Sequence, residues 1–342
     1  MPGVAAIKPN ETLVKIRDLQ VRYRTRMGLL HAVSDISFDI YKGEILGLVG
    51  ESGCGKSTLG KALMRMLPAS AELEGQIIFD GEDIVQMSDR QLRDFRGRRV
   101  SMIFQDPMTS LNPVQKIRDH LLETIRVHEP EAKEGPAMVR IRQLVERLGI
   151  QSERLPDYPH QLSGGMRQRV MIGLGLVLNA DLVIADEATT SLDVIVEAKL
   201  LDQLREIRDD FGVTIILVTH NIALVAELAD RVAVMYAGRI AELGSVYDVF
   251  DDPLHPYTRG LLKSVPNIRL DDGNDLYRMA GEPPNLTHPP SGCRFHPRCP
   301  HAMPVCSNYR PSFQEYKPGH FVHCWLYEEH PEMEEETVQV SV

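Results

Sequence analysis

Apolar positions along this chain change their spacing several times, and each change marks an element. Between residues 12 and 24 they alternate loosely (Leu13, Val14, Ile16, Leu19, Val21, Tyr23), and after a turn at Gly28 they alternate again at Val33, Ile36, Phe38 and Ile40. A period of two is that of a half-buried strand, so two antiparallel strands are expected here. They lead into an apolar run, Ile45-Leu46-Gly47-Leu48-Val49, and similar runs recur at Val100 to Phe104, Leu182 to Ala185 and Val213 to Thr219. Such short β-branched segments suit strands buried on both faces of a parallel sheet. Hairpins are expected where Asp80-Gly81 divides residues 74 to 84 and where Ala237-Gly238 follows Arg231 to Tyr236. Residues 115 to 178 have helical spacing instead, as at Ile141, Leu144, Val145 and Leu148, broken by Pro130, Pro136, Pro156 and Pro159. They predict a helical insertion carried by an α/β core. Two short helices, about Val246 to Phe250 and Pro256 to Ser264, close this part of the chain.

From Pro266 onward prolines, cysteines and histidines dominate, apolar periodicity fades, and the chain ends in the acidic run Glu334-Glu335-Glu336. The pattern predicts a division into residues 1–265 and a C-terminal extension, 266–342, ending in a solvated tail. The arginine-rich stretch Arg90, Arg93, Arg96, Arg98 and Arg99 is expected to be a hydrated helix face, because Asp89 and Asp94 break it up.

Between the run ending at Val49 and a helix-periodic stretch from Leu59 lies Gly50-Glu51-Ser52-Gly53-Cys54-Gly55-Lys56-Ser57. Strand, glycine-rich loop, helix is the context of a P-loop. Glycines let the backbone fold into a nest of N–H groups, the helix N-terminus favours an anion, Lys56 can reach the β- and γ-phosphates, and the Ser57 hydroxyl can sit on Mg²⁺. A nucleoside triphosphate site is expected, with Gly50, Ser52, Gly53, Cys54, Gly55, Lys56, Ser57 and Thr58 as its contacts. Downstream, Leu182-Val-Ile-Ala-Asp186-Glu187 is a buried strand ending in two carboxylates: Asp186 suits the Mg²⁺ shell and Glu187 the attacking water. Gln105 and His220 each follow another apolar strand, and parallel strands end in one crevice, so both are expected near the same phosphate.

Charge and length add exclusions. The chain has 342 residues and a formal net charge of −10, which argues against a nucleic-acid binder. Its longest apolar stretch, Val170 to Ala185, is interrupted by Asn179 and Asp181, and no charged-then-apolar leader opens the chain. A cytoplasmic protein without a membrane span is expected. One of the five cysteines lies in the phosphate loop, and Cys293, Cys299, Cys306 and Cys324 crowd into the extension. Four thiolates in an otherwise cysteine-poor chain suggest metal before disulfide. The spacing favours iron–sulfur over zinc, and His296, His301 and His323 keep zinc open.

Leu162-Ser-Gly-Gly-Met-Arg-Gln-Arg169, just upstream of the Asp186 strand, resembles the signature motif of ATP-binding cassette (ABC) proteins. With the P-loop, Gln105, Asp186, Glu187, Ser191-Leu-Asp193 and His220 in family order, the resemblance covers residues 12 to about 250. It implies an α/β P-loop core with an antiparallel β subdomain and a helical insertion. It also implies Tyr23 as the aromatic that stacks on adenine (an ordinary strand residue being the alternative), and Gln105 with Ser57 and Asp186 on Mg²⁺. Glu187, His220 and Gln105 take the catalytic roles. Ser163, Gly164, Gly165 and Asp193 belong to the nucleotide contacts, the signature turn closing on the ATP of a head-to-tail partner. Ala188, where the family usually has proline, is a departure that puts the hydrolysis rate in question. Asp106-Pro-Met-Thr-Ser-Leu-Asn-Pro113 and the cysteine-bearing tail are similar to the oligopeptide, dipeptide and nickel importer branch, where the tail is associated with a 4Fe-4S cluster. The expected function is the ATPase subunit of a peptide importer, peripheral on the cytoplasmic face of the inner membrane. The expected partners are two transmembrane permeases, a second homologous ATPase subunit and an extracytoplasmic binding protein. An oligosaccharide or nickel importer, or a soluble ABC ATPase acting on nucleic acid or the ribosome, are the alternatives. The cluster is expected to be structural, with ATP binding at the P-loop independent of it.

Overall fold

The computed structural model describes residues 11–103, 111–186, 204–264 and 279–329. Two sheets organise them. The first has four antiparallel strands in the order β2-β1-β4-β5: β1 (Thr12–Thr25), β2 (Gly28–Tyr41), β4 (Ala71–Phe79) and β5 (Glu82–Asp83). Asp80 and Gly81, at φ 48° and 90°, make the turn between β4 and β5. Both residues have the positive φ that a two-residue hairpin turn demands.

The second sheet holds the strands of the apolar runs: β3 (Ile45–Val49), β6 (Val100–Ile103), β7 (Leu182–Asp186) and β8 (Thr214–Val218). They lie in the order β3-β8-β7-β6, all parallel, and β9 (Arg231–Tyr236) adds a parallel neighbour on the other side of β3. Alternate residues of β3 face opposite cores, Ile45 and Val49 on one side, Leu46 and Leu48 on the other. This is why its run is apolar throughout. The helices Ile117–His128, Glu134–Arg147 and Gly164–Leu176 form the insertion. Pro136 does not break its helix, since it sits in the first turn, where no intrahelical bond to its nitrogen is lost.

The arginine-rich stretch differs from expectation. Arg90, Arg93 and Arg98 are exposed, but Arg96 Nε donates to Met64 O at 2.9 Å and Arg99 bridges Asp80 and Asp181 at 2.8 and 2.5 Å. Arg98, though exposed, donates to His128 O, so three of the five arginines fasten the stretch 89–99 to its neighbours. Gly97, at φ 84°, kinks the helix Asp89–Arg98 where they do so.

The extension continues the second sheet. After β9 the chain turns into antiparallel β10 (Arg239–Ser245), β12 (His320–Val322) pairs with β10, and β11 (Gln314–Lys317) closes the edge. A buried carboxylate secures this seam: Glu242 accepts from Leu254 N at 2.8 Å and His255 N at 2.9 Å, and lies 2.8 Å from His320 Nε2. Phe295 packs on Tyr236 and Tyr257 with ring centroids 5.1 and 5.5 Å apart, and Val305, Val322 and Trp325 are buried. The fading of periodicity beyond Pro266 concealed an apolar contact surface spaced irregularly along the chain.

Candidate nucleotide-binding site

Strand register sets the site. Leu48 of β3 is level with Val218 of β8, and Val218 with Asp186 of β7. The phosphate loop, Asp186 and the residues after β8 thus leave the sheet at one edge. Gly50 and Gly55 could not be other residues: a Cβ on Gly50 would lie 2.1 Å from Met235 O, and one on Gly55 2.2 Å from Ala32 O, both at positive φ. The loop is pressed against the sheet on its inner side and open outward, where Ser52 and Gly53 are exposed. Cys54 is buried beneath it.

Lys56, only 5 % exposed, donates to Gly50 O at 2.8 Å and Glu51 O at 3.0 Å, so its ammonium sits inside the loop. Ser57 Oγ donates to Asp186 Oδ1 at 2.9 Å. This bond joins the two oxygens expected to share Mg²⁺, although they lie 129 residues apart. A hydroxyl and a carboxylate beside a lysine are hard donors of the kind Mg²⁺ takes alongside substrate phosphates. Facing the loop is a cleft of about 520 Å³, lined by Glu51 to Thr58, Tyr23, Leu30, Ala32, Tyr236 and Ala237. Tyr23 stands opposite Leu30 across the β1–β2 pair and lies 3.4 Å from Thr58 Oγ1.

His220 lies two residues beyond β8 and is exposed; Asn221 caps the helix Ile222–Leu228 that follows. Ser163 caps the helix Gly164–Leu176, its hydroxyl accepting from Met166 N at 3.3 Å, and Ser163 and Gly164 face outward. Neither they nor Gly165 line the cleft. Gln105, Glu187, Ala188 and Asp193 lie outside the described residues.

Reading the sequence missed how the extension meets this site. Pro283, Pro284 and Leu286 line the same cleft. Arg298 donates to both carboxylate oxygens of Glu51, at 2.8 and 3.0 Å. The extension is therefore in direct contact with the nucleotide site. The available signal was chemical: a carboxylate inside a triphosphate-binding loop calls for a neutralising cation.

Cys293, Cys299, Cys306 and Cys324 all lie in the extension, and Cys293 N donates to Cys306 O at 2.8 Å. Burial, then the neighbouring thiols, pushes Cys293 up to about 11; burial does the same to Cys324, up to about 12. Neighbouring thiols that suppress one another's ionisation are a donor set that a cation would relieve. Among the described residues, however, no three cysteine, histidine or acidic side chains stand close enough to hold a metal ion. The expected ligand set is thus a group of neighbours rather than a formed coordination shell.

Residues 33–190 match the model of the ABC transporter family, and residues 241–306 that of the oligopeptide/dipeptide transporter C-terminal region. The dipeptide transport ATP-binding protein DppD of Bacillus subtilis is 44% identical over 94% of this chain and 97% of its own length. The oligopeptide transport ATP-binding protein OppD of Salmonella typhimurium is 43% identical over 94% and 95%. Among solved structures, cbiO1 from Clostridium perfringens, part of the ABC transporter complex cbiONQ, superposes with a TM-score of 0.62 at 29% identity. It covers 71% of this chain and 92% of its own. The chain belongs to the ATP-binding subunits of ABC transporters, in their oligopeptide/dipeptide branch.

Proposed function

We propose that this chain binds and hydrolyses ATP to drive peptide import through two membrane permeases, paired with a second ATPase subunit and served by an extracytoplasmic binding protein. The observation that carries the reading is the Ser57–Asp186 contact beside Lys56, together with 44% identity to a dipeptide transport protein over almost the whole chain. Among the described residues no helix is long and apolar enough to cross a membrane; in this reading the chain works at the cytoplasmic face and passes the energy of hydrolysis to the permeases.

Catalysis here is positioning and charge neutralisation. Lys56 and the loop N–H groups hold the β- and γ-phosphates, and Tyr23 lies under the base. Ser57, Asp186 and Gln105 would hold Mg²⁺, which would supply charge neutralisation at the phosphates. Glu187 orients and deprotonates the attacking water, and His220 contacts the γ-phosphate. The signature turn Ser163–Gly165, facing outward from its own cleft, serves the ATP of a head-to-tail partner, as does Asp193. Residues 1–265 make up the cassette and 266–342 the extension. Its four cysteines would hold a 4Fe-4S cluster, with zinc as the alternative ion.

The test is Glu187→Gln in the assembled transporter. ATP should still bind, while steady-state hydrolysis and peptide uptake fall at least ~10²-fold, the lower end of a general base's contribution. Near-normal turnover would remove Glu187 from this role. Uptake of an oligosaccharide or nickel rather than peptide, by the unmodified transporter, would move the chain to another cargo of the same branch.

A further inference from the structure

We propose that residues 280–286 of the extension form a wall of the nucleotide site against the base and ribose, and that Arg298 is the positioning residue joining this wall to the phosphate loop. The proposal rests on the ATP-binding reading and deepens it. Three observations place the wall. Pro283, Pro284 and Leu286 share the cleft with Lys56 and Tyr23. Leu286 O accepts from His31 N at 2.9 Å, which ties the segment to β2 beside Leu30 and Ala32. Thr287 packs so close to Gly28 that a Cβ there would lie 3.2 Å from its methyl group.

Arg298 works on both ends of this contact. Its Nε donates to Ala280 O at 3.0 Å, where the wall begins. Its two terminal nitrogens hold the Glu51 carboxylate in a bidentate pair, and one also lies 3.3 Å from Tyr236 Oη. The Arg298 side chain is only 5 % exposed. The other side of Glu51 is held too, its N–H donating to Tyr257 Oη at 2.9 Å. A fixed bidentate arginine is geometrically specific as well as attractive. It turns the one carboxylate of the phosphate loop away from the anion and cancels its charge. Without it, a half-buried, unpaired carboxylate would stand next to a triphosphate.

The three wall residues that line the cleft are apolar. Prolines and a leucine facing Tyr23 offer contact area and no hydrogen bonds, so they favour a flat base without reading its edge. Wall and clasp therefore make different predictions about two probes, Mg·ATP and Mg·tripolyphosphate, the second of which carries phosphates and no base.

With the full chain, Leu286→Ser combined with Pro284→Gly should weaken Mg·ATP about 10-fold, the worth of one good charge-free contact of ~1.4 kcal/mol, and leave Mg·tripolyphosphate unchanged. Arg298→Gln should weaken both probes at least ~10-fold, and adding Glu51→Gln to it should restore tripolyphosphate binding. A purely structural role for Arg298 predicts no such rescue, and its absence would overturn the clasp. Equal loss of both probes in the wall variant, or loss of neither, would overturn the wall. Because that variant could fail to fold, the unmodified chain supplies a second measurement. Photolabelling with 8-azido-ATP should mark a peptide within residues 279–288, and label confined to the cassette would overturn the wall. If the unmodified chain binds neither probe, the nucleotide reading itself fails.

Discussion

The glycines of the phosphate loop do different work, and space separates them. Gly55 has φ 110° and faces Ala32 O at 2.2 Å from where a Cβ would stand, whereas Gly53 has φ 77° with nothing within 4 Å. Gly53→Ala should thus cost only the ~1–2 kcal/mol of a left-handed L-residue. Gly55→Ala must also push β2 away and misdirect Lys56, and should weaken ATP binding more than ~10-fold. Titration of both variants with ATP, beside their thermal unfolding, checks this, and similar affinities would contradict the packing argument. At this scale the sequence was informative wherever chemistry is local. Lys56 and Ser57 could be read from one octapeptide, and Asp186 from the strand that ends in it. Arg298 could not, because it meets Glu51 across 247 residues and through an extension whose path no local pattern predicts.

Among elements, the helix Pro256–Lys263 shows how a buried histidine ties stability to pH. His255 caps it, Nδ1 accepting from Tyr257 N at 3.0 Å, so that nitrogen must be unprotonated. Burial pushes its pKa down to about 3, from an ordinary value of 6.5. A depressed histidine pKa contributes stability that is fully present above 6.5 and is lost as pH falls toward 3, because the unfolded chain takes up the proton first. Glu44 acts oppositely: burial outweighs its partner Arg231 and raises it from 4.5 to about 6. The folded state then gains on acidification between 6 and 4.5, a shorter window than that of His255. Unfolding free energy should therefore fall on acidification below pH 6.5, with His255 contributing a slope of up to ~1.4 kcal/mol per pH unit. His255→Asn keeps a capping acceptor and removes the titration; its stability at pH 7 should be lower but its pH profile flatter. Denaturant melts from pH 7 to 4 measure both, and an unchanged slope would rule His255 out. Strands and hairpins of the cassette were legible from their periods and from Asp80-Gly81, whereas the pairing of β12 on β10 was not. A three-residue strand carries no period, and its partner is chosen by the buried Glu242–His320 contact.

For the molecule as a whole, the extension is the last part of the second sheet and also one side of the nucleotide cleft. The region matched to the oligopeptide/dipeptide C-terminal model begins on β10, inside the sheet, and runs through Cys293, Cys299 and Cys306. Arg298 ends the short helix His296–Arg298 and Cys299 follows it directly, so a ligand that fixed the thiols would also fix the clasp on Glu51. The apolar contacts of Phe295, Val322 and Trp325 already dock the extension, so the proposed cluster would have only the narrower task of drawing together four thiols that, among the described residues, are neighbours without being a shell. Such ligation closes loops between distant residues and restricts the unfolded chain most where they are long. Full-length protein purified without oxygen should be brown and carry about four irons per chain. Removing the metal with a chelator should expose residues 279–329 to proteases and, through Arg298, weaken Mg·ATP several-fold. Colourless protein with stoichiometric zinc would replace iron by zinc and keep the clip. Unchanged ATP affinity in the stripped protein would confine the metal to holding the extension together.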